Sequence, residues 1–129
     1  MKPFTPLARE GERLRKEVKT MGDRICLTFV KKGNWNERSP VLYAHWDGKD
    51  LLDKAEAFFN EYIASHKVRD EPSNVMVNFI CYLREGSIED GNYYLYRDEE
   101  SCCSPDDNGF WELDVESGAV RQMRKGEWE

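Results

Sequence analysis

The side chains best suited to chemistry stand together in the stretch LYAHWDG, residues 42–48. His45 could act as a general base or bind a metal ion, because a free imidazole changes its charge near neutral pH. Tyr43 precedes it by two residues, and Trp46 and Asp47 follow it directly. We therefore take His45 and Tyr43 as candidate catalytic residues and all four side chains as a candidate binding site. The structural alternative is a histidine that only joins a strand to a helix.

A second set of candidate side chains is acidic. Residues 85–116 hold eleven Asp and Glu and a single base, Arg97, which gives this segment a net charge of −10. Such a segment could attract a basic partner, or it could simply keep the protein soluble. The run DDNG lacks the ligand spacing of a calcium loop, although a bound cation stays an alternative. The candidate binding acids are Asp98, Glu99, Glu100, Asp106 and Asp107.

The adjacent cysteines Cys102 and Cys103 lie in the same acidic segment. Zinc sites use separated ligand pairs such as C-x₂-C, which two adjacent cysteines do not supply. The neighbouring acids should also raise the pKa of these thiols and so disfavour a reactive thiolate. A composite metal site with His45 remains an alternative, but we expect no cofactor.

Composition narrows the class of protein. The chain has 129 residues and a mass of 15.2 kDa, enough for one domain with its own core. No apolar run approaches the roughly 18 residues of a membrane helix, and no export signal is visible, so we expect a cytoplasmic protein with no membrane partner. The net charge of −6 and the acidic segment would repel a phosphate backbone, which disfavours nucleic acid.

Hydrophobic periodicity predicts the elements that must position these side chains. Residues 47–66 and 72–85 have the apolar spacing of amphipathic helices, and Asp47 and Pro72 suit their first turns. In the segment FWELDV, alternation predicts that Trp111 and Leu113 point inward and Glu112 points outward. Strands are predicted at 25–31, 41–46, 93–97, 110–115 and 119–124. Alternation along 41–46 places Val41, Tyr43 and His45 on one face and Leu42, Ala44 and Trp46 on the other.

The order of these elements, β-β-α-α-β-β-β, defines the expected fold class. Consecutive strands at both ends favour antiparallel hairpins, and the two amphipathic helices can cover one face of the resulting sheet. We therefore expect an α+β two-layer sandwich with a mainly antiparallel sheet. Residues 25–129 should form a single domain, preceded by an N-terminal helix or arm over residues 1–24.

Two stretches, LYAHWDG and DNGFWELDVESGAV, also carry a resemblance. The chain resembles a group of small prokaryotic and phage-borne proteins in which a strand ends in Tyr-x-His-Trp-x-Gly and an acidic hairpin closes the domain. Asp47 stands where the group usually has a glycine. The pattern matches here at Tyr43, His45, Trp46, Gly48, Asn108 and the acidic positions Asp114 and Glu116. The resemblance supports the α+β fold and implies no activity, because none is established for that group.

Three functions remain in order of preference. The first is a non-catalytic protein-interaction module whose acidic face binds another protein, which could itself be basic. The alternative is a small enzyme or metal-binding protein that uses His45. A homodimer built through an edge strand or the N-terminal helix is the third.

Overall fold

The computed structural model describes residues 22–33, 36–85, 91–98 and 107–124. The predicted N-terminal helix or arm therefore lies outside the described residues up to residue 21. The same holds for Glu99, Glu100, Asp106 and the two adjacent cysteines.

The described strands form one mixed sheet. The strands are β1 (Ile25–Lys31), β2 (Glu37–Arg38), β3 (Val41–Ala44), β4 (Tyr93–Tyr96), β5 (Phe110–Asp114) and β6 (Val120–Gln122). Their order is β4-β3-β1-β5-β6, with β2 pairing to β1 as well. β1 and β5 are parallel neighbours at the centre, and every other pair of described strands is antiparallel. The predicted hairpin contacts of the first and last strand pairs are confirmed.

Two helices cover one face of this sheet, as predicted. Helix α1 (Asp50–Phe58) continues into a π-helical turn, Phe59–Ile63, and helix α2 (Pro72–Arg84) has Pro72 in its first turn. The chain leaves α2 through Glu85, whose φ of 50° is left-handed. The buried side chains between the helices and the sheet include Leu27, Phe29, Leu42, Leu51, Phe58, Met76, Phe79 and Leu113.

The other face of the sheet is also buried. Val41 and Tyr43 point to this second face while Leu42 and Ala44 point to the helices, which confirms the predicted alternation along β3. The second cluster consists of Cys26, Val41, Tyr43, Phe110 and Met123. Tyr43 is therefore fixed in this cluster just before the chain reaches His45.

Glu112 contradicts the sequence prediction, because it is buried and not solvent-facing. Its side chain is 2% exposed, since β5 is covered on both faces. Three cations surround the carboxylate: Arg121 at 2.9 Å, Lys32 at 3.1 Å and Arg38 at 3.2 Å. Burial raises the pKa of Glu112, but hydrogen bonds from Arg121 and Lys32 and the nearby positive charge more than offset this, so the pKa is lowered.

Candidate functional site

The start of β1, the end of β3 and the starts of β4 and β5 meet at one end of the sheet. Main-chain hydrogen bonds join them: Asp23 N–H donates to the His45 carbonyl, and His45 N–H donates to the Asn92 carbonyl, both at 2.8 Å. Asn108 N–H donates to the Arg24 carbonyl at 3.1 Å. Parallel pairing of β1 with β5 and antiparallel pairing with β3 bring these four segments together.

His45 lies half-buried at the centre of this end of the sheet. Its Nδ1 is 2.7 Å from the Tyr43 hydroxyl, and its ring packs edge-on against Trp46 with 4.6 Å between ring centroids. A Cβ at Gly22 would lie 2.9 Å from Nε2, so the main chain there closes on the remaining edge of the ring. Neighbours on three sides thus hold the imidazole in one orientation.

Asp47 contacts β4 and does not cap the following helix, so the predicted cap was wrong. Its carboxylate accepts hydrogen bonds from Asn92 Nδ2 at 3.0 Å and from the Tyr93 hydroxyl at 2.7 Å. Lys54 Nζ lies 3.4 Å away. The N-cap of α1 is Lys49, which makes no side-chain cap hydrogen bond. The physical reason is that the donors Asn92 and Tyr93 hold the Asp47 carboxylate.

Of the acidic candidates, Asp107 joins this end of the sheet and Asp98 does not. Asp107 accepts hydrogen bonds from Arg24, from the main-chain N–H at 2.9 Å and from Nε at 3.3 Å. Burial raises the pKa of Asp107. The hydrogen bonds from Arg24 and the charges of Arg24 and His45 lower this pKa by a larger amount, so the net shift is downward. Asp98 instead pairs with Arg97 at 3.0 Å, beyond the other end of β4.

The described side chains around His45 form hydrogen bonds mainly with one another. Within residues 22–33, 36–85, 91–98 and 107–124, no three His, Cys, Asp or Glu side chains are grouped so that they could bind a metal ion. The hydroxyl of Tyr43 and the carboxylate of Asp47 are both used to fix neighbouring segments. These hydrogen bonds and ring contacts hold the main chain around His45 in place, directly before the exposed side chain of Trp46.

Sequence analysis did not predict the exposed hydrophobic surface that lies next to His45. Trp46 is 50% exposed, Tyr94 46% and Leu95 53%. Among the described strands, β4 is the outermost on its side of the sheet and pairs with β3 alone, so its side chains are less covered than those of a central strand. The signal in the sequence was a short apolar run between acidic flanks.

A groove beside the π-helical turn is one of the concave features of the described residues. It is lined by Phe59, His66, Val68 and Val115 among others. Two charged side chains on its rim already have partners, because Arg69 bonds to Glu71 and Asp70 bonds to Lys31. The groove is therefore a weaker candidate for a binding surface than β4.

In the part of the chain that the structure describes, no helix has the length and apolar character needed to cross a membrane. No protein family, curated protein or solved structure matches this chain. The functional argument therefore rests on the geometry of the molecule.

Proposed function

We propose that this protein is a non-catalytic interaction module that binds another protein through the β4 edge, defined as Trp46 and strand Tyr93–Tyr96. One observation carries the proposal. Four large hydrophobic side chains are exposed among the described residues, and three of them, Trp46, Tyr94 and Leu95, lie on this edge. The fourth, Val77, lies alone on α2 and serves as a natural control.

The chemistry of these side chains suits an interface. Tyr and Trp are enriched at the centres of protein interfaces, where they bury a large area at a small cost in side-chain entropy. Burial of apolar surface stabilises a complex by about 25 cal/mol per Å² before the costs of association. Leu95 also lies on a strand at the edge of the described sheet, where main-chain groups can pair with an added strand.

The joint around His45 supports this edge. Trp46 N–H donates to Asn92 Oδ1 at 2.9 Å, and His45 packs against the Trp46 ring. Asp47 accepts hydrogen bonds from Asn92, which directly precedes β4, and from Tyr93, the first residue of β4. In this proposal the residues of LYAHWDG act as a rigid support, and only Trp46 among them contacts the partner.

Charge narrows the class of partner. Residues 85–116, which contain β4, carry a net charge of −10 in the sequence, although Glu112 is buried among three cations on β5. In this proposal the acidic residues that flank β4 in the sequence attract a basic protein and repel nucleic acid. They would contribute to a polar rim around the apolar centre.

The proposal is tested by affinity capture from the source cells with matched variants. Leu95→Lys and Trp46→Ala change the β4 edge, whereas Val77→Lys makes a comparable change on α2. We expect the same proteins to be captured by the unchanged chain and by Val77→Lys, and to be lost with both edge variants. Recovery of one set of proteins by all four chains, or by none, would overturn the proposal.

A second candidate function is a small enzyme or metal-binding protein that uses His45. The observation in its favour is the 2.7 Å contact between the Tyr43 hydroxyl and Nδ1, a pair able to pass a proton. NMR of the two histidine rings during addition of Zn²⁺ tests it. A response of His45 without a response of His66 would favour this candidate, and equal responses would dismiss it.

A further inference from the structure

We infer that the β4 edge takes up an extended segment of the partner as an added strand, apolar in its middle and basic at both ends. The inference rests on the proposed function and deepens it, because it states how the partner binds and by which chemistry. Three features of the edge lead to it: its main-chain geometry, the two faces on which its side chains are exposed, and the charge around it.

The main chain of β4 presents Leu95 outward. In the antiparallel ladder with β3, Ala44 is opposite Tyr93 and Tyr43 is opposite Tyr94. The hydrogen bond from His45 N–H to the Asn92 carbonyl identifies the hydrogen-bonded pairs, which alternate along such a ladder. The pair Tyr43–Tyr94 is then hydrogen-bonded, so the N–H and C=O of Leu95 point away from β3.

The exposed side chains of β4 lie on opposite faces of the sheet. Tyr94 is on the face of Tyr43, with 5.7 Å between their ring centroids, while Leu95 is on the helix face beside Leu42. A helix or a flat surface would cover one of these side chains. An added strand covers both, because its own side chains alternate between the two faces.

The charges that flank β4 select a basic segment. In the sequence, Glu89 and Asp90 precede the strand by a few residues, and Asp98, Glu99 and Glu100 follow it closely. An incoming strand that carries Lys or Arg at each end would meet opposite charge at both ends of β4. Its centre would be apolar to match Tyr94 and Leu95.

The same flanks disfavour a second copy of this chain. Antiparallel self-pairing would bring the β4 strands of two copies together, and the acidic residues that flank β4 in the sequence carry the same charge in both copies. Like charges that face each other destabilise a strand pair, which disfavours this occupant.

A displayed library of random nonapeptides, selected on the full chain, tests this inference. We expect the enriched peptides to have apolar residues in the middle, with side chains that would alternate between the two faces of an added strand. They should carry Lys or Arg at both ends. Synthetic versions should bind more weakly as salt rises, and a proline at a central position should reduce affinity by at least about tenfold because it removes a main-chain donor.

A pair of variants at one position separates main-chain pairing from side-chain contact. Leu95→Pro removes the outward N–H, whereas Leu95→Val keeps it with a similar side chain. We expect the proline variant to lose at least about tenfold in affinity for the selected peptides, and the valine variant to stay within about threefold. Equal binding by the two variants would overturn the added-strand geometry.

Other results of the peptide selection, of ultracentrifugation and of capture from cells also test the inference. No enrichment, or enrichment of acidic or helical peptides, would overturn the inference. A dimer in analytical ultracentrifugation that Leu95→Lys abolishes would assign the edge to a second copy instead. If capture from cells depends on the β4 edge but no strand-like peptide binds, the inference fails while the proposed function stands. If capture is insensitive to the edge, the proposed function fails.

Discussion

The hydroxyl of Tyr43 lies 2.7 Å from Nδ1 of His45. The two residues are separated by one position, so both point to the same face at the end of β3. Tyr43 is itself buried in the second cluster, and it therefore anchors a half-buried imidazole to the core. The unusual stretch LYAHWDG is explained as a support that fixes the main chain just before the exposed Trp46.

Removing that hydroxyl should weaken the fold. Tyr43→Phe leaves Nδ1 of His45 without this partner in a half-buried position, and we expect a loss of about 1 kcal/mol in the free energy of unfolding. Urea denaturation measures it. Tyr94→Phe is the matched control, because that ring is exposed, and should change stability by no more than about 0.5 kcal/mol. Equal changes in the free energy of unfolding for the two substitutions would contradict the supporting role of Tyr43.

Gly48 should tolerate no side chain. Its φ is +57°, and a Cβ there would overlap Oδ2 of Asp23, a carboxylate held by Asn108. We expect Gly48→Ala to cost about 2 kcal/mol or more, from the left-handed conformation and the close contact together. A Cβ at Gly33 would meet no atom within 4 Å, so the control Gly33→Ala should be nearly neutral. Thermal unfolding of the two variants compares them directly.

The buried carboxylate of Glu112 predicts a loss of stability in acid. Its pKa in the folded protein is lowered, so the ionised form stabilises the fold above the unfolded value of about 4.5. That contribution is lost as the pH falls through the lower folded pKa. The free energy of unfolding should therefore decrease from about pH 4.5 downwards, as measured by urea denaturation at a series of pH values.

Glu112→Gln isolates this contribution. The amide keeps the shape but leaves Arg38, Arg121 and Lys32 without their shared anion, and we expect a loss of about 2 kcal/mol at neutral pH. The difference from the unchanged protein should shrink in acid. The exposed Glu37 provides the control Glu37→Gln, with an effect within about 0.5 kcal/mol. A difference that stays constant with pH would refute the assignment.

Two prolines on β4 should have different effects on stability. Tyr94 N–H takes part in the ladder with β3, so Tyr94→Pro should destabilise the fold by about 3 kcal/mol. Leu95 N–H points outward, where proline is tolerated on an edge strand, so Leu95→Pro should cost less than about 1 kcal/mol. A larger loss for Leu95→Pro than for Tyr94→Pro in denaturation experiments would mean that the hydrogen-bonded pairs are assigned the wrong way round.

Local patterns predicted most of the elements of this fold. The apolar spacing after Gly48 and the start at Pro72 indicated both helices, because one-sided burial leaves a period of 3.6 in the sequence. Alternation in VLYA predicted the two faces of β3 correctly. The α+β class follows from the order of the elements, and it is what the structure has.

Features that depend on distant segments were not predictable. The parallel contact of β1 with β5 joins Cys26 to Phe110, far apart in the sequence, and no local pattern encodes it. Glu112 was expected in solvent because its burial depends on cations from three other segments. Asp47 was expected to cap a helix because its donors, Asn92 and Tyr93, lie far along the chain.

Photo-crosslinking tests the central claim, that the β4 edge is the docking surface, most directly. A photoreactive phenylalanine analogue placed at position 95 should yield a crosslinked product with a partner protein in the source cells. The same analogue at position 77, similarly exposed but on α2, should yield none. Crosslinks of equal yield at both positions, or at position 77 alone, would contradict the account.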